Sequence, residues 1–273
     1  MKRCLLLLAA TLLVVPPAHA GFVARLLDGS GYSWDFFRLR QLSVSVEVQG
    51  LFYRTTIEFA VELTPYQWHT YYEAPRPGWY EISWDFQLDE GAFIVECQMQ
   101  PADSAPGHYM SARLVDLTSA EEAYRAYPAA RPRLLLRERW RRNWNGTEVR
   151  SFNMLYSPVH YDPSVVPVIK LAFLAPCQAR YAVRRLDLPL SLFNVYRMTS
   201  ATLEVRDPDN PDCQPWDVTG EARLTPWVYR EGKWQASVLP APGFAARTIL
   251  GVAPENPGRT YLRTCTVSGV QFY

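Results

Sequence analysis

Leu42-Ser43-Val44-Ser45-Val46-Glu47-Val48-Gln49-Gly50-Leu51-Phe52-Tyr53-Arg54-Thr55-Thr56-Ile57-Glu58-Phe59-Ala60-Val61-Glu62-Leu63 is the stretch on which the fold of this chain turns. Leu42, Val44, Val46 and Val48 alternate with Ser43, Ser45, Glu47 and Gln49, the period of two expected of a strand with one face in a core and one in water. Gly50 punctuates the run. Tyr53, Thr55, Ile57, Phe59, Val61 and Leu63 then resume the alternation, so the pair reads as an antiparallel hairpin.

The same rhythm returns along the chain. Tyr80, Ile82, Trp84, Phe86 and Leu88 alternate, and an Asp89-Glu90-Gly91 turn leads into Phe93, Val95, Cys97 and Met99, which places Cys97 on a core face. Arg131 to Arg142, Phe152 to Tyr156 and Val165 to Pro176 read as further extended segments. One helix interrupts them. Thr118-x-x-Glu121 and Ser119-x-x-Glu122 both fit a capping box, Ala120, Ala123, Tyr124 and Tyr127 recur at helical spacing, and Pro128 ends the run.

A smaller unit is expected after about residue 191. It comprises a strand from Thr202 to Arg206, a hairpin at Glu231-Gly232 flanked by Trp227 and Trp234, and a final strand from Thr260 to Tyr273. The expected division is therefore a leader at 1–20, a β-rich domain at 21–190, and a small C-terminal β domain or extension at 191–273. The fold class is mainly β, an antiparallel sandwich with one short helix.

The leader is read from its chemistry. Lys2 and Arg3 form a basic start, an apolar run extends from Leu5 to Val15, and Ala18-His19-Ala20 supplies small residues for cleavage, so the mature chain is expected to begin at Gly21. An apolar run of eleven residues, broken only by Thr11, falls well short of the roughly 20 needed to span a bilayer, which favours cleavage over anchoring and a secreted or periplasmic product with no membrane span. The chain carries a formal charge of +1, and losing two cations with the leader turns it slightly negative, which gives no reason to expect a nucleic-acid partner.

Export also bears on the cysteines. Cys97, Cys177, Cys213 and Cys265 would fold where thiols oxidise, so two bridges are expected, Cys97 with Cys177 and Cys213 with Cys265, each within one proposed unit. No pair of cysteines or histidines has the spacing of zinc ligands, and no cofactor is implied.

The succession Trp84-x-Phe86-x-Leu88-x-x-Gly91-Ala92, Ala120-Glu121-x-Ala123-Tyr124, Leu134-Leu135-Leu136 and Phe152 through Pro158-Val159 resembles the VIT domain, the module of vault proteins and inter-alpha-trypsin inhibitor heavy chains, over about residues 40 to 190. The resemblance implies a sandwich-like module with a helix, found in matrix-associated and bacterial exported proteins and without catalytic residues of its own. The von Willebrand type A domain that commonly follows such a module has no room after residue 190. Its Asp-x-Ser-x-Ser metal motif has only the imperfect Asp28-Gly29-Ser30-Gly31-Tyr32, which lies before the module.

Three clusters are candidate sites. Trp68, His69, Tyr71, Tyr72, Trp79 and Tyr80 gather aromatic faces in a segment broken by Pro65, Pro75 and Pro77, suited to stacking on sugar rings or entering a partner's pocket. Arg133, Arg137, Arg139 and Arg141 share one face of a strand and offer planar forks for anions. Asp207, Asp209, Asn210 and Asp212 supply oxygens of the kind calcium prefers, without EF-hand spacing. No G-x-S-x-G, H-E-x-x-H or phosphate-loop pattern is present. The expected function is a non-catalytic module binding a protein or matrix partner, with glycan binding as the alternative and a secreted hydrolase behind both.

Overall fold

The computed structural model describes residues 21–68, 70–88, 91–113, 115–128, 131–142, 148–180, 183–188, 197–198, 201–217, 224–238, 248–252, 265–267 and 270–272. The chain opens with β1 (Gly21–Leu26), β2 (Ser33–Trp34), and the long hairpin of β3 (Phe37–Gln49) and β4 (Phe52–Leu63). Then come β5 (Tyr66–Trp68), β6 (Tyr71–Glu73), β7 (Trp79–Phe86), β8 (Phe93–Gln100), β9 (Met110–Ser111) and the helix α1 (Leu117–Ala126). Three long strands follow, β10 (Arg133–Arg142), β11 (Glu148–His160) and β12 (Val168–Pro176). The remainder is shorter: β13 (Gln178–Arg180), β14 (Val183–Leu188), β15 (Arg197–Met198), β16 (Ala201–Arg206), β17 (Trp216–Asp217), β18 (Val228–Arg230), β19 (Lys233–Ser237), β20 (Thr248–Val252), β21 (Cys265–Val267) and β22 (Val270–Phe272).

Two sheets carry the frame. One has the order β10-β11-β7-β1-β2, and the other runs β18-β19-β16-β3-β4-β12-β8-β9 with β15 also on β3. The alternating residues of the first stretch do what their period requires. Val44, Val46, Val48, Tyr53, Ile57 and Phe59 are buried on one face, and Gly50 turns between the strands at φ +68°. They meet the inner face of the smaller sheet, where Phe22 and Trp84 stack at 5.2 Å and Phe59 of the larger sheet stands edge-on to Trp84 at 5.0 Å. Each large side chain removed from water this way contributes about 1.5–3 kcal/mol, before chain entropy is counted. The mainly β sandwich read from the sequence is the observed architecture.

Several local expectations change. Asp89 and Glu90 lie outside the described residues, and the strands on either side of them do not pair, because β7 belongs to the smaller sheet and β8 to the larger. Cys97 and Met99 are buried as expected, but Phe93 and Val95 are exposed. Val95 of β8 is left unpaired where the register shifts, Ala172 lying opposite Glu96 and Phe173 opposite Ile94. The helix cap lies earlier than the capping boxes suggested. Asp116 is the N-cap, and its carboxylate accepts the Ser119 N–H at 2.9 Å, which also lowers its pKa. β21 and β22 pair antiparallel, where a single final strand was expected.

The C-terminal residues add strands to the larger sheet. β16 lies parallel to β3, with Ala201 opposite Leu42, and β19 and β18 extend that edge. Glu231 and Gly232 both have positive φ, 52° and 76°, the mirror-image turn that matches strand twist in a two-residue hairpin.

The bridge between Cys97 and Cys177 is not formed. Cys97 pairs with Leu171 across β8 and β12, which leaves Cys177 six residues farther along, about 20 Å at strand rise, whereas a disulfide needs Cα atoms within about 7 Å. Cys97 is a buried free thiol, and burial pushes its pKa up to about 12. Cys213 is also a free thiol, and the side chain of Cys265 lies outside the described residues. Native protein treated with iodoacetamide at neutral pH should therefore leave Cys97 unmodified until it is unfolded. Non-reducing peptide mass spectrometry should find no 97–177 link; such a link would refute the β8–β12 register.

Candidate functional site

At one end of the sandwich the strand ends converge. β4 finishes at Leu63, β7 begins at Trp79, β11 finishes at His160 and β12 begins at Val168. Pro65, Pro75 and Pro77 cannot donate to a ladder, so the chain between β4 and β7 stays out of both sheets and folds back on itself as β5 and β6. Trp34 fastens the base of this excursion. Its indole N–H is shared between the carbonyls of Phe36 and Thr64, each at 3.1 Å. The Phe36 and Tyr66 rings then pack at 4.0 Å.

The excursion displays aromatic surface. Tyr71 and Tyr72 are 60% and 63% exposed, and Trp79 is 46% exposed. Trp79 lies against His160 at 4.5 Å, and His160 lies against Tyr161 at 4.6 Å, which makes a short aromatic row. The row depends on close backbone approach at Gly78. Its carbonyl accepts the Tyr161 N–H, and a Cβ there would come within 2.9 Å of Leu26. Beside Trp79 is a cavity of about 220 Å3 lined by residues 101–103, by Ser157 and Pro158 of β11 and by Val165 and Pro167, with Asp103 as its carboxylate.

The predicted aromatic members divide. Tyr80 is fully buried, its hydroxyl donates to the Arg76 carbonyl at 2.8 Å, and burial pushes its pKa up to about 12. Tyr80 is therefore part of the core and not of the surface. Trp68 pairs with Tyr71 across the hairpin, but its side chain, like His69 altogether, lies outside the described residues. Tyr161 was missed by the sequence reading. It follows β11 by one residue, and no sequence pattern links it to Trp79.

The arginine cluster has internal partners. Arg133 donates to Ser157 Oγ at 2.7 Å, to the Tyr124 and Tyr127 carbonyls, and to Glu81 at 3.4 Å, with its guanidinium over the Tyr124 ring. Arg137 donates to Asn153 Oδ1 and Glu121, both at 2.7 Å. Tyr124 donates to Glu81 at 2.8 Å, and burial together with the Glu81 carboxylate raises its pKa, so the phenol stays protonated. These forks hold α1 on the outer face of β10 and β11, and the anion-site reading of Arg133 and Arg137 is withdrawn. Arg139 lies on the same face, and its charge helps lower the Glu121 pKa, whose largest cause is the hydrogen bond from Arg137. The Arg141 side chain lies outside the described residues.

The acidic loop is a turn. Asp207 accepts the Asp209 N–H at 3.1 Å and the Asn210 amide at 3.0 Å, while Asp212 is exposed. Among the described residues, no three acidic, histidine or cysteine side chains converge as metal ligands would. No helix among them is long and apolar enough to cross a membrane.

The sequence matches no protein-family profile and no curated protein. Two solved structures are similar in shape. A proposed nutrient-binding protein from Legionella pneumophila has a TM-score of 0.43 at 8% identity, over 80% of this chain and 67% of that one. A proposed protease from Parabacteroides distasonis has a TM-score of 0.34 at 9% identity, over 80% of this chain and 40% of that one.

Proposed function

We propose that this chain is an exported, non-catalytic, VIT-like interaction module that binds a protein or matrix partner through the end bearing Tyr71, Tyr72, Trp79 and Tyr161. The exposure of those four aromatics carries the reading. The fold buries Tyr53, Tyr80, Tyr156 and Trp84 completely or nearly so, and leaves open Tyr71 and Tyr72 on β6, Trp79 at the start of β7 and Tyr161 just after β11. Tyrosine and tryptophan provide large contact area with few rotatable bonds, which is why they dominate interface hot spots. Export is supported by the basic, apolar and small-residue order of residues 2–20.

The test is cross-linking in the native compartment with the full chain. Wild-type protein should give a discrete cross-linked species, and the Tyr71→Ala/Tyr72→Ala/Trp79→Ala variant should lose it. Its unfolding midpoint should stay close to wild type, since surface substitutions usually shift stability by no more than about 0.5 kcal/mol each. A variant that cross-links like wild type would end the proposal.

Glycan binding is the second reading, favoured by the position of Trp79 beside a cavity with a carboxylate. Tryptophan fluorescence titrated with cell-wall and matrix polysaccharides should shift, and should stop shifting in Trp79→Ala. A flat titration across the panel would remove this reading.

A further inference from the structure

Two strand edges face one another across a flank of the sandwich. Residues 132–138, running into β10, all line one cavity of about 490 Å3. Successive strand residues point to opposite faces, so a cavity that touches all of them wraps the strand's edge, and Leu117, Ala120, Ala123 and Tyr124 of α1 wall it on the outer side. Residues 93–97 of β8 line an adjoining cavity of about 440 Å3 in the same way. Both cavities include Ala112, Arg113, Leu136 and Glu138, which makes them a single trough.

Neither edge is covered by a strand along this trough among the described residues. β10 pairs with β11 alone, and on β8 the added pairing stops at Cys97, whose carbonyl accepts the Ala112 N–H at 2.9 Å, leaving residues 93–96 without a strand on that side. Main-chain donors and acceptors on such edges are a template for an added strand. The walls are apolar, with Val115 and Leu117 just over half exposed and Phe93 and Val95 somewhat less. Most charges here are already paired. Arg133, Arg137 and Arg150 face Glu81, Glu121 and Glu138, and Glu96 is held by Arg54 and Lys170. Arg113, exposed and common to both halves of the trough, has no carboxylate partner among the described residues.

We infer that this trough is a strand-addition site for an extended segment of a partner protein. The segment pairs along β10, turns apolar side chains into the trough at alternate positions, and sets a carboxylate against Arg113. A second copy of this chain does not suit the edge. Beyond the ion-paired Arg133 and Arg137, β10 carries Arg139, Arg141 and Arg142 against the single acid Glu138, so self-pairing would bring like charges together. The trough meets the cavity beside Trp79 only at Pro132, and neither Arg113 nor residues 93–97 of β8 line that cavity.

The probe is a fluorescein-labelled octapeptide alternating valine with glutamate, compared with its lysine counterpart and with a copy N-methylated at alternate amides. The acidic peptide should raise polarisation and slow hydrogen exchange at the amides of β10, and the other two should bind roughly tenfold more weakly or worse. Arg113→Glu, a change at an exposed residue, should reverse the preference towards the lysine peptide. The Tyr71→Ala/Tyr72→Ala/Trp79→Ala variant should bind like wild type, which separates this site from the one proposed above. Absence of binding at about 1 mM peptide overturns the inference. So does equal binding of the lysine or N-methylated peptide, binding that leaves β10 exchange unchanged, or a concentration-dependent dimer that protects β10 without peptide.

Discussion

Trp84→Ala is expected to destabilise the protein by about 3–5 kcal/mol, a large part of the stability of an ordinary domain. Trp84 is completely buried midway along β7, between Phe22 at 5.2 Å and Phe86 at 4.2 Å, with Phe59 of the opposing sheet edge-on at 5.0 Å. Removing the indole leaves a void whose walls belong to two sheets, and hydrogen-bonded strands on both sides keep those walls from closing. The loss therefore combines the burial of the ring with the contacts of its neighbours. Urea unfolding followed by circular dichroism measures it, and Trp140→Ala is the control. Trp140 is 64% exposed on an edge strand, and its truncation should cost no more than about 0.5 kcal/mol. Equal effects at the two positions would contradict the face-to-face packing of the sheets.

The second large effect is expected beneath α1. Arg133→Met removes a guanidinium whose side chain is only 12% exposed, and leaves Glu81, 21% exposed, with Tyr124 as its remaining donor. Breaking a fully buried pair costs about 3–5 kcal/mol, and residual solvent access here reduces the expected loss to about 2–3 kcal/mol. Glu81→Gln should cost less, because the amide oxygen still accepts from Tyr124. The double variant should be less damaging than the two single losses together, since each partner is harmful mainly when left alone. Hydrogen exchange provides the local measurement: amides of Leu117–Ala126 should lose protection in Arg133→Met before the sheets do. Additive losses, or an undisturbed helix, would show that the arginine does not hold α1 in place.

The β3–β4 hairpin was legible because its alternation continues unbroken on both sides of Gly50. The Asp89-Glu90-Gly91 segment announced a turn, but a turn signal does not say whether the strands it joins pair or step to another sheet. That choice depends on β11 and β1 competing for the two sides of β7. The expected Cys97–Cys177 link failed for a related reason, while Cys213–Cys265 involves a side chain outside the described residues. Sequence separation can rank loops, but only the β8–β12 register shows that Cys97 and Cys177 lie far apart. Tyr80 was placed both in the alternating core run and in the aromatic site, and its phase with Ile82 and Trp84 could have decided for the core. The arginines on β10 could not be separated into free and paired, because Glu81 and Glu121 reach them from another strand and from the helix. Neither the trough nor Arg113 had any local pattern, since an edge exists only once a sheet has an order.

β3 is flanked on one side by its hairpin partner and on the other by β16, which lies parallel to it. During synthesis the segment around Leu42 must wait, unclad along one border, until the segment around Ala201 has been made and can dock. Contacts so remote in the chain form slowly, and an uncovered apolar strand invites clumping in the interval. The polypeptide should thus depend on a holding chaperone, or on delivery through a pore in unfolded form, and a version truncated before residue 201 should accumulate as insoluble material.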